Sequence, residues 1–441
     1  MYQFGLLPRL MWPLIMYEIP VSAVEEMERV ISKHLRSWLG VTPSLSSVAL
    51  YSNSTKLKIP LKSVLEEFKV GKCRTMVAME ESKDPIVWAV QPDVKTGRKW
   101  RASDGVRDAK LDIKIEEVVG HVQTNKRGFG YTRRAIPGSA RSQITEKVKN
   151  SLEHERVVTA CQQASQGRWT AWSAVETREL SWSELWNVSD KRISMMIKSS
   201  YDVLGTPANL KRWNLQEDDS CVLCAKSPCN LKHILSGCNV ALTGGRYTWR
   251  HDRVLKIIAE ATECEVARHN LDPVKTKSKT VAFVKKGEKA RPRKVSKASI
   301  FGAGDDWVVN CDLATRLVVP IDLADTTKRP DIVMISRRIR RVILCELTCP
   351  WEENAEWAHE RKLEKYEELK NEIESNGWAV SVYAVEVCGR GFASRSLRGY
   401  LTAIGCNNKK IKAVVKECCE AAERASVSIY MSRNEQWSPR E

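Results

Sequence analysis

Two β-rich runs, Ile332 to Ser336 and Val342 to Thr348, flank the basic turn Arg337 to Arg341. A chain with that pattern has little choice but to form a hairpin. With the turn centred between Arg338 and Ile339, Asp331 falls directly opposite Glu346. Cross-strand partners share a face with Cβ atoms about 5 Å apart. Two carboxylates that close repel unless a proton or a cation lies between them. A hard divalent cation is the natural occupant. A helix from about Glu352 to Ser375 then carries Lys362 and Lys365 one turn apart, with Tyr366 beside them. Paired acids on a hairpin with lysines delivered by the next helix suit metal-dependent phosphodiester hydrolysis. The alternative is a surface hairpin beside a solvated charged helix.

The flanks extend this pattern into a domain. Trp307 to Leu313 reads as a strand and brings Asp312, a candidate third acid, close to the hairpin. Trp378 to Val387 reads as another strand, and helices are expected over Ser394 to Gly405 and Lys409 to Arg424. Strand, hairpin, helix, strand, helix predicts a small mixed sheet flanked by helices over residues 300–425. The whole chain is expected to be α+β.

At 441 residues, two to four domains are expected. Lysines and arginines outnumber acids 71 to 54, for a net charge of +17, which points to a polyanionic partner, most simply nucleic acid. A membrane surface is the weaker alternative; no run of 18 apolar residues exists, so no transmembrane helix is predicted and no membrane partner is expected. The apolar start of the chain lacks a basic lead-in and is broken by Pro8, Pro13 and Pro20, which does not suit a signal peptide. Fourteen cysteines without a secretory signal imply free thiols plus a metal site in a reducing compartment, nucleus or cytoplasm.

Residues 1–90 read as helical. Ser22-x-x-Glu25 has the form of a capping box, and Val24, Met27, Ile31, Leu35 and Trp38 follow at helical spacing. Residues 91–142 read as a basic, loop-rich connector. Its stretch Lys126 to Arg134 mixes cations with Phe129 and Tyr131, which suits either a single nucleic-acid strand or a solvated loop. Residues 143–215 read as a helical linker whose Trp169, Trp172, Trp182 and Trp186 suit core packing.

Residues 216–270 carry the metal signal. Cys221-x2-Cys224-x8-His233-x4-Cys238 supplies three thiolates and one imidazole, a closed tetrahedral set for structural Zn²⁺. Cys229 lies inside the loop as a thiol that could replace a ligand. Thr248 to Asp252 follows, and a helix is expected from about Asp252 to Arg268. Residues 271–299 read as a flexible linker: Lys275 to Lys297 holds ten basic residues against one acid, Glu288. Its blocks Lys285-Lys286 and Arg291-Pro292-Arg293-Lys294 suit a nuclear localisation signal, a phosphate clamp or a solvated tether.

Several motifs together resemble one family. Pro330-Asp331 followed by Glu346-Leu347-Thr348 is similar to the PD-(D/E)xK nuclease motif, with Thr348 in place of its lysine. In the restriction-like endonuclease of one class of non-LTR retrotransposon, that lysine is commonly displaced onto the next helix. Lys362 and Lys365 beside Tyr366 match the variant. The segment GLLPRLMWPL with the helix after it resembles the thumb of the same elements' reverse transcriptases. The Cys-Cys-His-Cys order resembles the knuckle that precedes their endonuclease, and Arg250-His251-Asp252 resembles the motif that follows it. The resemblance spans about Gly5 to Thr402. It implies a PD-(D/E)xK fold behind a thumb, a linker and a zinc knuckle. It also implies a Mg²⁺-dependent nick in target DNA, with Asp331 and Glu346 as magnesium ligands and Lys362, Lys365 and Tyr366 completing the catalytic set. Arg250 and His251 would contact that DNA, and element RNA would be a second partner. No Tyr/Phe-Ala-Asp-Asp pair of a polymerase palm occurs, so the chain is expected to be a C-terminal piece of a longer polyprotein that nicks but does not polymerise. A silent, zinc-containing nucleic-acid-binding protein derived from such an element is the competing expectation.

Overall fold

The computed structural model describes residues 1–90, 93–123, 140–271, 300–313 and 315–438. The chain divides into two compact units, residues 1–170 with 178–203, and residues 171–177 with 204–441. It is α+β: many helices, one five-stranded mixed sheet and one two-stranded parallel sheet.

The first unit is built on helices. Val21–Trp38 forms as its apolar spacing predicts, burying Val24 and Leu35, but the capping box is absent. Pro20 is the N-cap and Ser22 lies inside the first turn, because proline fixes the entry backbone without a side-chain bond. The connector expected to be loop-rich contains the helix Ala102–Gln123. Its Val106 and Ala109 are buried with Val70, Cys73, Val77, Ile144 and Val148 from Val64–Glu80 and Ala140–Cys161. A sparse apolar stripe sufficed there because two neighbouring helices cover it. The stretch Lys126 to Arg134 lies outside the described residues.

The second unit holds the sheet. We label its elements α1 (Arg246–Leu271), β1 (Val308–Cys311), β2 (Ile332–Ser336), β3 (Arg341–Thr348), α2 (Ala355–Ser375), β4 (Ala379–Cys388), β5 (Phe392–Ala393), α3 (Arg395–Ala403) and α4 (Asn408–Met431). The strands lie side by side in chain order. All neighbouring pairs are antiparallel except β3 and β4, which are parallel and joined through α2. A parallel pair needs such a crossover, and a helix is its usual form.

Side chains alternate between two cores, as pleating requires. Ile332, Met334, Ile343, Cys345, Leu347, Val385 and Val387 pack with α1, α3 and α4. Val333, Ile335, Val342 and Leu344 pack with Tyr366, Leu369 and Ile373 of α2. The alternation puts Glu346, Thr348 and Glu386 on the α2 side. These carboxylates are therefore in reach of α2's polar residues.

The segment Ala171–Thr177 belongs to this unit. Trp172 is buried and its ring meets Phe392 edge-on at 5.4 Å. Arg390 stacks between Trp172 and Trp351, with its guanidinium carbon 4.2 and 3.9 Å from the two ring centres. Its charge is met by the buried Glu352 at 2.6 Å. The aromatic faces and the carboxylate together compensate an otherwise costly burial. Trp169 is also buried, whereas Trp186 is 77% exposed.

Candidate active site and metal centre

β2 and β3 pair with Ile332 opposite Cys345 and Ser336 opposite Arg341, and continuing this register puts Asp331 opposite Glu346. Backbone bonds fix both carboxylates. Leu347 N–H donates to Asp331 Oδ2 at 2.6 Å, and Asp331 N–H donates to Glu346 Oε2 at 3.2 Å. α2 supplies the rest. Lys362 Nζ lies 2.5 Å and Lys365 Nζ 3.4 Å from Glu346 Oε1. The Tyr366 hydroxyl lies 2.8 Å from Glu346 Oε2 and 2.7 Å from the Arg329 carbonyl, two acceptors that share its single hydrogen. Burial, and then the nearby Glu346 charge, push the Tyr366 phenol far above its ordinary range, so it stays protonated and donates. Glu346, Lys362, Lys365 and Tyr366 are thus gathered on the α2 side, with Asp331 opposite Glu346 at the end of the hairpin.

Tyr366→Phe removes this buried donor and leaves the Arg329 carbonyl short of a partner. The expected cost is about 1–2 kcal/mol of stability, read as a lowered melting temperature.

The remaining expected site residues divide. His251, from α1, reaches the same acid: its Nε2 is 3.3 Å from Asp331 Oδ2 and its Nδ1 is 3.1 Å from Asp252. Burial opposes the imidazolium, yet these two carboxylates raise the His251 pKa well above its ordinary value. Arg250 is only 1% exposed and offers nothing to a surface ligand. It donates to Ser426 Oγ at 3.0 Å and the Cys349 carbonyl at 3.3 Å. Gly389 makes room for it, since a Cβ there would meet Arg250 Nη1 at 3.0 Å. Arg250 is therefore a buried packing residue rather than a DNA contact in this conformation. Asp312 lies beside the pair, its N–H donating to the Asp331 carbonyl at 2.9 Å, while its carboxylate accepts from the Leu317 N–H at 2.8 Å and Arg329 at 2.5 Å. Lys285, Lys286, Arg291, Arg293 and Lys294 lie outside the described residues.

The donor set fits a divalent cation in one respect and resists it in another. Asp331 accepts through Oδ2, and its Oδ1 accepts no hydrogen bond among the described residues. Both oxygens of Glu346 are already engaged. An ion bound there must therefore displace Lys362 or Lys365, which hang on long flexible stems.

The second centre is the cysteine cluster. Cys221, Cys224, His233 and Cys238 bring their donor atoms within 4.8 Å of one another. Cys221 and Cys238 sulfurs are 3.9 Å apart, and Cys224 Sγ lies 3.3 Å from His233 Nε2. Tetrahedral zinc with bonds of about 2.3 Å to sulfur sets ligand separations near 3.8 Å. The four residues could hold a zinc ion. Burial acts against the Cys221 thiolate, but the Cys224 and Leu223 backbone N–H groups prevail and keep that thiol below its usual range. Cys229 stands outside the four donors that gather within 4.8 Å of one another. Tyr247 of α1 ties the cluster down. Its hydroxyl accepts from Cys238 N–H at 3.1 Å and donates to the Ile234 carbonyl at 2.9 Å.

No protein-family model and no curated protein matches the chain.

Sequence reasoning missed one part of the carboxylate face. Glu386 of β4 is the register partner of Thr348 and is 1% exposed. His359 of α2 bonds it at 3.0 Å, and Ser396 Oγ donates to it at 2.6 Å. The signal was present: His359, Lys362 and Tyr366 follow the three- and four-residue spacing of a single helix face.

Proposed function

We propose that this chain is a Mg²⁺-dependent DNA endonuclease, the restriction-like nuclease portion of a non-LTR retrotransposon protein. The observation that carries the reading is that Lys362, Lys365 and Tyr366 of α2 meet Glu346 beside Asp331 at the end of the hairpin. The sheet supports it as well: a hairpin, a crossover helix and a parallel strand are the arrangement expected of a PD-(D/E)xK core. The zinc-type cluster and the net charge of +17 suit a protein that works on nucleic acid.

Asp331 and Glu346 would hold the Mg²⁺, which would supply positive charge to the phosphoryl oxygen under attack. Lys362, the nearer lysine, neutralises Glu346 in the resting protein and can bond a phosphate oxygen once displaced. Tyr366 orients the Glu346 carboxylate through Oε2. Thr348 carries no charge, so the cation a motif lysine would bring comes instead from Lys362 and Lys365 of α2. The product would be a nick with a 3′ hydroxyl.

The close lysine contacts at Glu346 favour a second reading, a self-neutralised site in a silent nucleic-acid-binding protein. Supercoiled plasmid incubated with the protein and Mg²⁺ separates the two. The nuclease reading expects nicked circles whose ends a polymerase can extend, and none with chelator. Salt-sensitive plasmid binding with no nicks would favour the silent protein.

A further inference from the structure

The α2 side of the sheet has a second polar centre that the proposed site does not use. Glu386 is a carboxylate buried between β4 and α2. Ser396 Oγ donates to its Oε2 at 2.6 Å, which leaves Oε1 for His359 Nδ1 at 3.0 Å. A carboxylate accepts, so this contact places a hydrogen on Nδ1 and the lone pair of the neutral ring on Nε2. The imidazole is half-exposed, with its side chain 37% accessible. A buried acid that fixes the tautomer of a partly exposed imidazole is the arrangement by which a base is prepared.

Its position ties it to the carboxylate pair. His359 precedes Lys362 by three residues on α2, about 4.5 Å along the helix axis on the same face. Lys362 bonds Glu346 as His359 bonds Glu386. On the sheet, Thr348 stands two residues after Glu346 on the same face and pairs directly with Glu386. Thr348 Oγ1 is buried and makes no hydrogen bond among the described residues. A buried hydroxyl without a partner is a place for a ligand or a water to bond.

We propose that His359, held by Glu386 and Ser396, is the general base for water attack on the phosphodiester. The proposal rests on the hydrolytic reading above and assigns the proton transfer within it. Nε2 takes a proton from water as the water oxygen bonds to phosphorus. The bond from phosphorus to the 3′ oxygen breaks, and that oxygen takes a proton from solvent. The imidazolium then returns its proton to solvent. The products are a 5′ phosphate and a 3′ hydroxyl. Thr348 would bond the attacking water through its free hydroxyl.

The test compares plasmid nicking by the full chain, His359→Ala, His359→Asn and Asp331→Ala, with and without added imidazole. Melting temperature and plasmid binding are read on each. His359→Ala is expected to lose about a hundredfold and to regain about tenfold with imidazole. His359→Asn keeps an N–H for Glu386 but no basic nitrogen. It is expected to melt like wild type, bind plasmid like wild type and lose the same activity. Asp331→Ala is expected to be inactive and unresponsive to imidazole. Wild-type nicking by His359→Asn would overturn the proposal, since the ring would then only neutralise Glu386. An alanine variant that binds plasmid normally but gains nothing from imidazole would overturn it too. Nicking that needs Asp331 and not His359 removes the base alone. A wild type that never nicks removes the hydrolytic reading and the base together.

Discussion

Glu346→Gln is expected to lower Mg²⁺-dependent nicking by about a thousandfold, equivalent to about 4 kcal/mol of transition-state stabilisation. The substitution keeps size and keeps an oxygen for Tyr366 and the Asp331 N–H. What it removes is the charge that would hold a divalent cation opposite Asp331. It also frees Lys362 and Lys365 from their shared carboxylate. Stability should change little by comparison, because the aliphatic cores on both sides of the sheet are untouched. Plasmid binding should persist, since binding draws on the whole basic chain. A melting curve and a binding isotherm alongside the nicking rate separate loss of chemistry from loss of fold. Equal nicking by variant and wild type would remove Glu346 from the chemistry.

Stripping metal from the cysteine cluster is the second large effect. Structural zinc in small knuckle peptides contributes roughly 10–16 kcal/mol of apparent binding energy. Only part of that is expected to appear as stability here, because the cluster is also held by Tyr247 and by packing around Ile234 and Leu235. A loss of about 4 kcal/mol corresponds to a melting temperature lower by about 10 °C for a unit of this size. Cys221→Ser should reproduce the effect of a strong chelator, because it removes one of the four clustered ligands. Cys229→Ser should leave zinc content unchanged. Metal analysis and calorimetry on the same samples check both. A protein that purifies without zinc and melts identically with chelator would show that the cluster is only a set of thiols.

The hairpin was legible because its information is local. A short basic turn between two apolar runs fixes the register, so Asp331 and Glu346 could be placed opposite each other by counting. The spacing of Lys362, Lys365 and Tyr366 on one helix was equally readable. The cysteine ligands were legible because four donor types at short spacing leave few arrangements. Long-range partners were not legible. Nothing near Arg250 announces that its guanidinium would be buried against Ser426 and Gly389, far along the chain. Nothing near His251 announces Asp331, 80 residues on. His359 and Glu386 required the strand order, which sets β4 beside β3 and carries Glu386 next to Thr348. The helix Ala102–Gln123 was obscured because its apolar face is narrow, and only its neighbours make burial worthwhile.

The most direct measurement is divalent-ion binding at the hairpin itself. Zinc-replete protein is titrated with Mn²⁺, followed by electron paramagnetic resonance, for wild type and for the Asp331→Ala/Glu346→Ala double variant. The account predicts a Mn²⁺ site in wild type that Mg²⁺ competes for and that the double variant lacks, with zinc content equal in both. The same Mn²⁺ stoichiometry and affinity in both proteins would contradict it and take the metal away from the carboxylate pair.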